Sequence, residues 1–173
     1  MFEVEARYTE QARALKPGEY RFDPGISLDE ALRKIVRHDV VIRFVTVPEG
    51  LVTAEVLAIV GAAEGLQGDL PAVTGEGALL PETYRYEWGD QRAAMIARMQ
   101  IARNAVLQEL WAARDPAVQI ASPEEVLVLA SIVERETGVA AERPRVAAVF
   151  LNRLKSGMKL QSDPTVIFGL GEA

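Results

Sequence analysis

The 173-residue chain has no cysteine and a single histidine. Without cysteine there can be no disulfide, no thiolate metal site and no cysteine nucleophile, and either a reducing or an oxidising compartment is compatible with the sequence. The one histidine, His38, directly follows a predicted helix, where the dipole favours a cation. It sits in a separate small unit, which argues against a Ser-His-Asp triad, and one histidine cannot make a multi-histidine metal site. Long apolar runs are missing as well. No stretch reaches the roughly 18 to 20 apolar residues that span a bilayer, and the N-terminus lacks a basic-then-apolar signal pattern, so the chain as given reads as soluble. Basic runs are absent and the net charge is −6, which argues against nonspecific binding to nucleic acid or to an anionic membrane. Gly138, Gly157, Gly169 and Gly171 match neither a dinucleotide fingerprint nor a P-loop and read as helix stops and turns. No cofactor or metal is expected. What remains, 49% apolar and 25% charged residues, fits one ordinary globular domain or two small ones.

The pattern along the chain predicts an α+β protein. Residues 15 to 47 read as a small α/β unit. Gly18-Glu-Tyr-Arg-Phe22 is strand-like, Ser27 and Glu30 form a capping box for a helix over Leu28 to Val36, and Val40 to Val47 is a β-branched strand with Arg43 in its middle. Pro48-Glu49-Gly50 closes this unit. A helix follows from about Thr53 to Ala63, then a Gly-rich loop through Gly77. Asp90 can cap a long core helix to about Arg114, with Ile96, Met99, Ala102, Val106, Leu110 and Trp111 on its apolar positions. Ser122-Pro123-Glu124-Glu125 combines a cap, a first-turn proline and a capping-box glutamate, starting a helix that Gly138 stops. Pro144 opens another helix, with Val146, Val149, Phe150 and Leu154 apolar and Gly157 at its end. Met158 to Gln161 looks extended, and Asp163-Pro164 resembles a further cap.

One carboxylate stands out. At about 100° per residue from Val126, Leu129 falls at about 300°, Ile132 at about 240°, Val133 at about 340° and Glu136 at about 280°, among the apolar neighbours. A carboxyl on that arc is expected to be buried, to have a raised pKa, and so to be a candidate general acid. Glu134 falls at about 80°, on another side, and is expected to pair with Arg143 or Arg145 folding back. Glu134, Glu136, Glu142 and Asp163 together supply carboxylates suited to glycosidic acid/base chemistry.

Several runs carry a family resemblance. Leu129-Ala-Ser-Ile-Val-Glu-Arg-Glu-Thr-Gly138, Glu142-Arg143, Val149-Phe-Leu-Asn-Arg-Leu154 and Gly157-Met-Lys-Leu-Gln-Ser-Asp-Pro-Thr-Val166 resemble the signature core of the endolytic murein transglycosylases, the MltG or YceG-like family. Leu15-Lys-Pro-Gly-Glu-Tyr-Arg-Phe22 with Val45-Thr-Val-Pro-Glu-Gly50 resembles that family's small LysM-like unit. Glu76-Gly-Ala-Leu-Leu-Pro-Glu-Thr-Tyr84 resembles its Pro-Asp-Thr-Tyr segment, with Glu82 in place of the aspartate.

The resemblance implies a LysM-like unit over residues 1–50 and a mainly helical catalytic region over 51–173. It also implies that the N-terminal transmembrane helix and the C-terminal part of the family's catalytic domain lie outside this chain. It further implies a lyase of the cell inner membrane, with its catalytic part on the extracytoplasmic side. Such an enzyme cuts nascent peptidoglycan strands between N-acetylmuramic acid and N-acetylglucosamine and leaves 1,6-anhydro ends. Its partners would be glycan strands and peptidoglycan synthases, with no nucleic acid. In lytic transglycosylases generally the acid sits in an Ile-x-x-x-Glu-Ser-Gly-like helix. Ile132-Val-Glu-Arg-Glu136-Thr137-Gly138 superimposes Glu136 on it, with Glu134 in reserve. Gln161, Ser162, Asp163 and Thr165 are expected to line the glycan groove. Two rivals stand beside this reading: a noncatalytic peptidoglycan-binding or scaffold module, and a hydrolase using Glu136 with a second carboxylate such as Asp163.

Overall fold

The computed structural model describes residues 14–169. Residues 1–13 of the expected first unit, and the turn expected at Gly171, lie outside the described residues. In chain order the described residues form α1 (Leu28–Arg37), β1 (Ile42–Thr46), α2 (Thr53–Ala62), β2 (Thr83–Glu87), α3 (Arg92–Ala112), α4 (Pro123–Glu136), a 3₁₀ turn (Ala140–Glu142), α5 (Arg143–Lys155) and α6 (Asp163–Gly169). The protein is therefore α+β. Its residues gather into two compact units. Among the described residues, the first holds 14–47 with Leu57–Ala72 and Glu82–Ala97; the second holds Pro48–Val56, Val73–Pro81 and 98–169.

In the first unit the local signals act as expected at α1. The Ser27 side chain accepts from the backbone N–H of Glu30 while Glu30 accepts from that of Ser27, so two orphan donors of the first turn are satisfied reciprocally. Asp29 and Glu30 in the first turn and Lys34 and Arg37 in the last complement the macrodipole. β1 runs antiparallel to β2, with Ile42 opposite Glu87 and Thr46 opposite Thr83. Alternation turns Val45 and Tyr86 inward, where both are buried, and leaves Phe44 on the solvent face. Arg43 lies over the Trp88 ring and is tied to Glu19 at 2.7 Å and Glu64 at 3.0 Å. His38, in the left-handed conformation that ends α1, bonds Glu87 at 2.8 Å and meets the Tyr20 hydroxyl at 3.3 Å. Burial, helped by the charge of Glu87, raises the pKa of that phenol.

Two expectations in this unit are corrected. Gly18 to Phe22 is not a strand. It contributes a backbone bond from Val41 N–H to the Glu19 carbonyl, and Tyr20 directs its hydroxyl to the Lys16 and Ile35 carbonyls. The strand that does pair with β1 is β2, far along the chain. Asp90 does not cap α3: its carboxylate accepts the backbone N–H of Glu87, tightening the turn after β2.

In the second unit, Ser122 caps α4 by accepting the Glu125 N–H, and Pro123 stands at the first helical position. Glu125 reaches back one residue further than a capping box requires, to the Ala121 N–H. α5 ends in a full Schellman motif: Met158 N–H bonds the Arg153 carbonyl and Gly157 N–H the Leu154 carbonyl, with Gly157 at φ 66°. α4 packs on α5 and α6 around Leu129, Ile132, Val133 and Phe150, with Ile120, Val146, Ala147, Leu151 and Leu160 against them. The long helix α3, whose residues are divided between the units, buries Met95, Ile96, Met99 and Leu107. Val106 and Leu110, expected on its apolar side, are exposed, so its C-terminal half offers a narrower buried stripe than the periodicity implies.

Candidate active site

The run Ile132, Val133, Glu134 and Arg135 turns α4 from core to surface, and Glu136 is its last residue. Ile132 and Val133 are buried; Glu134, Arg135 and Glu136 are exposed. The expected burial of Glu136 is therefore wrong. Its angular position on the helix is apolar, but its axial position is terminal, past the point where α4 is covered by its neighbours. The desolvation argument for a proton-holding acid falls with it.

Glu136 nevertheless has a defined orientation. The Ser162 hydroxyl, in a side chain only 2% exposed, donates to Glu136 Oε1 at 2.5 Å, within the range of a charge-assisted O–H···O⁻ bond. Ser162 is fixed in turn from both sides. Thr165 Oγ1 donates to the Ser162 carbonyl at 2.6 Å. Preceding it, Gln161 adopts the left-handed conformation, φ 53°, which turns the chain from the extended run after α5 into α6. Upstream, the Arg153 guanidinium donates to the Leu160 carbonyl, and Leu160 packs against the core.

The charges nearby are otherwise engaged. Glu134 pairs with Arg143 at 2.9 Å, the back-folded arginine expected from the sequence. Arg135 donates to the Gly50 carbonyl. Glu142 accepts from the Thr137 hydroxyl at 2.9 Å, and the same oxygen of Thr137 accepts the Val139 N–H. Thr137 is 8% exposed, so this link closes the turn after α4 from inside. Thr137 is not among the residues that the sequence singles out for a role. The signal it does carry is a threonine at a helix end immediately before glycine, the pattern of a hydroxyl turn two residues long.

Of the four residues expected to line a groove, Ser162 is buried and gives its hydroxyl to Glu136. Gln161, Asp163 and Thr165 are exposed, and the Thr165 hydroxyl donates to the Ser162 carbonyl. The structure thus brings Ser162 directly to Glu136. Among the described residues no group of three or more His, Cys, Asp or Glu side chains comes together to hold a metal ion. No described helix is long and apolar enough to cross a membrane.

The arrangement can present one exposed carboxyl, with one oxygen anchored and the other directed by that anchor, at the end of a helix whose core face is firmly packed. The chain is 34% identical over 97 residues to the endolytic murein transglycosylase of Bacillus subtilis (strain 168), a match covering 56% of this chain and 27% of that protein. It is 23% identical over 200 aligned positions to the endolytic murein transglycosylase of Streptococcus pneumoniae serotype 2, covering 91% of this chain and 36% of that one. The chain therefore spans about a third or less of the length of these relatives. Its fold is similar to that of a crystallised yceG-like protein from Listeria monocytogenes, with a TM-score of 0.56 at 23% identity, covering 99% of this chain and 66% of the other. The family model of the YceG-like proteins matches residues 1–173, in agreement with the motifs from Leu129 to Val166, and the chain belongs to that family.

Proposed function

We propose that this chain is part of a peptidoglycan lytic transglycosylase in which Glu136 is the acid and then the base. The reading is supported by the family and by the relatives that bear the name endolytic murein transglycosylase. One observation carries the assignment to a residue: the exposed Glu136 carboxyl is held through Oε1 by the buried Ser162 hydroxyl. In this reading protonated Glu136 gives its proton to the oxygen bridging N-acetylmuramic acid and N-acetylglucosamine as the bond from that oxygen to the muramic C1 breaks. The resulting carboxylate accepts the proton of the muramic 6-hydroxyl as O6 bonds to C1. No water is consumed, and the enzyme ends protonated as it began. One carboxyl suffices because the nucleophile belongs to the substrate and is already in place.

The LysM-like character of residues 1–50 and the catalytic role of 51–173 belong to the same proposal. So do the extracytoplasmic face of the inner membrane as its location and peptidoglycan synthases as partners. Gln161 and Asp163, both exposed, are the residues in this segment suited to meet sugar hydroxyl or N-acetyl groups.

The test uses the full-length protein and purified peptidoglycan, with the products separated by chromatography and mass. Anhydro-ended fragments that disappear in Glu136→Gln support the proposal. Reducing ends instead would indicate hydrolysis, and binding without any product would indicate the scaffold.

A further inference from the structure

We propose that Ser162 is a positioning residue for Glu136 rather than a contact for the glycan. The inference rests on the acid/base reading of Glu136 and adds to it the device that aims the acid. A carboxyl at the end of a helix, exposed to water, is free to rotate about its side-chain torsions, and each unproductive orientation reduces the fraction of molecules able to deliver a proton along the bridge direction. Ser162 removes that freedom. Its hydroxyl occupies Oε1 at 2.5 Å, so Oε2 is the oxygen that carries the proton to the substrate and takes it back.

Three features make Ser162 a support and not a ligand. It is 2% exposed, out of reach of a sugar. Its single proton is committed to Glu136. Its backbone is fixed by two bonds to its carbonyl, from Thr165 N–H at 3.1 Å and Thr165 Oγ1 at 2.6 Å. The left-handed turn at Gln161 delivers it there, and a bulky residue holds that conformation only where the surroundings determine it. The anchor is neutral. Three charged neighbours have partners of their own: Glu134 on Arg143, Arg135 on Gly50, and Glu142 on Thr137. Glu136 is held by a hydroxyl where Glu134 has an ion, and orientation is gained without cancelling its charge.

The experiment compares Ser162→Ala, Ser162→Cys and Thr165→Val with Glu136→Gln in the full-length protein, measuring kcat and KM separately on glycan strands. Ser162→Ala is expected to lower kcat by about tenfold to a hundredfold, the cost of misplacing a reacting group by about an ångström, with KM little changed. Ser162→Cys, nearly the same shape with a weaker donor, should fall between, and Thr165→Val should give a smaller loss of the same kind. A raised KM with kcat unmoved would make Ser162 a sugar contact and overturn the inference. So would equal activity of the alanine and wild-type enzymes, or a cysteine variant that folds normally but loses as much as alanine. If Glu136→Gln cleaves normally, it is the acid/base assignment that fails. Loss of cleavage in that variant together with an indifferent Ser162→Ala sinks the positioning role alone.

Discussion

The two units treat their charged side chains differently. In the first, Arg43 is gripped by Glu19 and Glu64 and laid on Trp88, and His38 is tied to Glu87. Each of these charges meets an opposite or titratable one, an arrangement that fixes a surface and consumes its acids. In the second unit, Glu134 is consumed the same way by Arg143, while Glu136, two residues on, is held by a neutral hydroxyl. The Glu134 carboxylate has both oxygens on Arg143 Nη2, at 3.1 and 2.9 Å, and so leaves neither of them unengaged. A carboxylate on a serine is oriented and keeps an oxygen for chemistry. The difference between positions 134 and 136 is the physical basis for choosing between two glutamates of one helix.

The contrast can be broken most severely at Glu136 itself. Glu136→Gln should lower strand cleavage by about 10²- to 10⁴-fold, the usual range for general acid–base catalysis, read from anhydro-ended products, whereas Glu134→Gln should reduce it no more than several-fold. If the two variants exchange these outcomes, the ion pair is not what separates the residues. Next comes the core beneath the site. Phe150, 5% exposed among Leu129, Ile132 and Val133, should cost about 3–5 kcal/mol when replaced by alanine, measured by urea denaturation.

A smaller loss, about 1 kcal/mol, is expected when Ser122→Ala removes the cap of α4, again by denaturation. The smallest effect concerns acid. Hydrogen bonds from Ser27 to Glu30 and from Arg43 to Glu19 hold both carboxyls below their ordinary value of 4.5. Groups with a depressed folded pKa stabilise the fold above the unfolded value and cease to as the pH falls through the folded one. Thermal stability should therefore decline on acidification below pH 4.5, and Glu30→Gln and Glu19→Gln should each flatten that decline. An unchanged slope in both variants would detach these pairs from stability.

Features whose partners lie close in sequence are legible in the sequence itself. Ser27 with Glu30, Ser122 with Pro123, Arg143 folding back to Glu134, and Gly157 ending α5 each depend on a few residues and a local geometry. The pairing of β1 with β2 is not legible in that way, because Thr46 meets Thr83 across a long stretch that includes an irregular loop. Gly18 to Phe22 has strand composition, yet composition cannot decide which of two segments wins an edge. The expected burial of Glu136 fails for a different reason. A helical wheel compresses the helix along its axis, so it assigns a side but not a depth, and the last turn of α4 lies on the right side at the wrong depth. The same spacing does single out the residue, and the motifs from Leu129 to Val166 point to the family.

Gln161 sits in a backbone region that costs an ordinary residue about 1–2 kcal/mol and glycine almost nothing. The loop leading into α6 thus stores a small spring immediately ahead of Ser162. Replacing Gln161 with glycine would relax that spring and let the loop wander, whereas a β-branched side chain would tighten it toward breaking. Loop stiffness beside the site could in this way be tuned from a position that supplies neither the proton nor its holder.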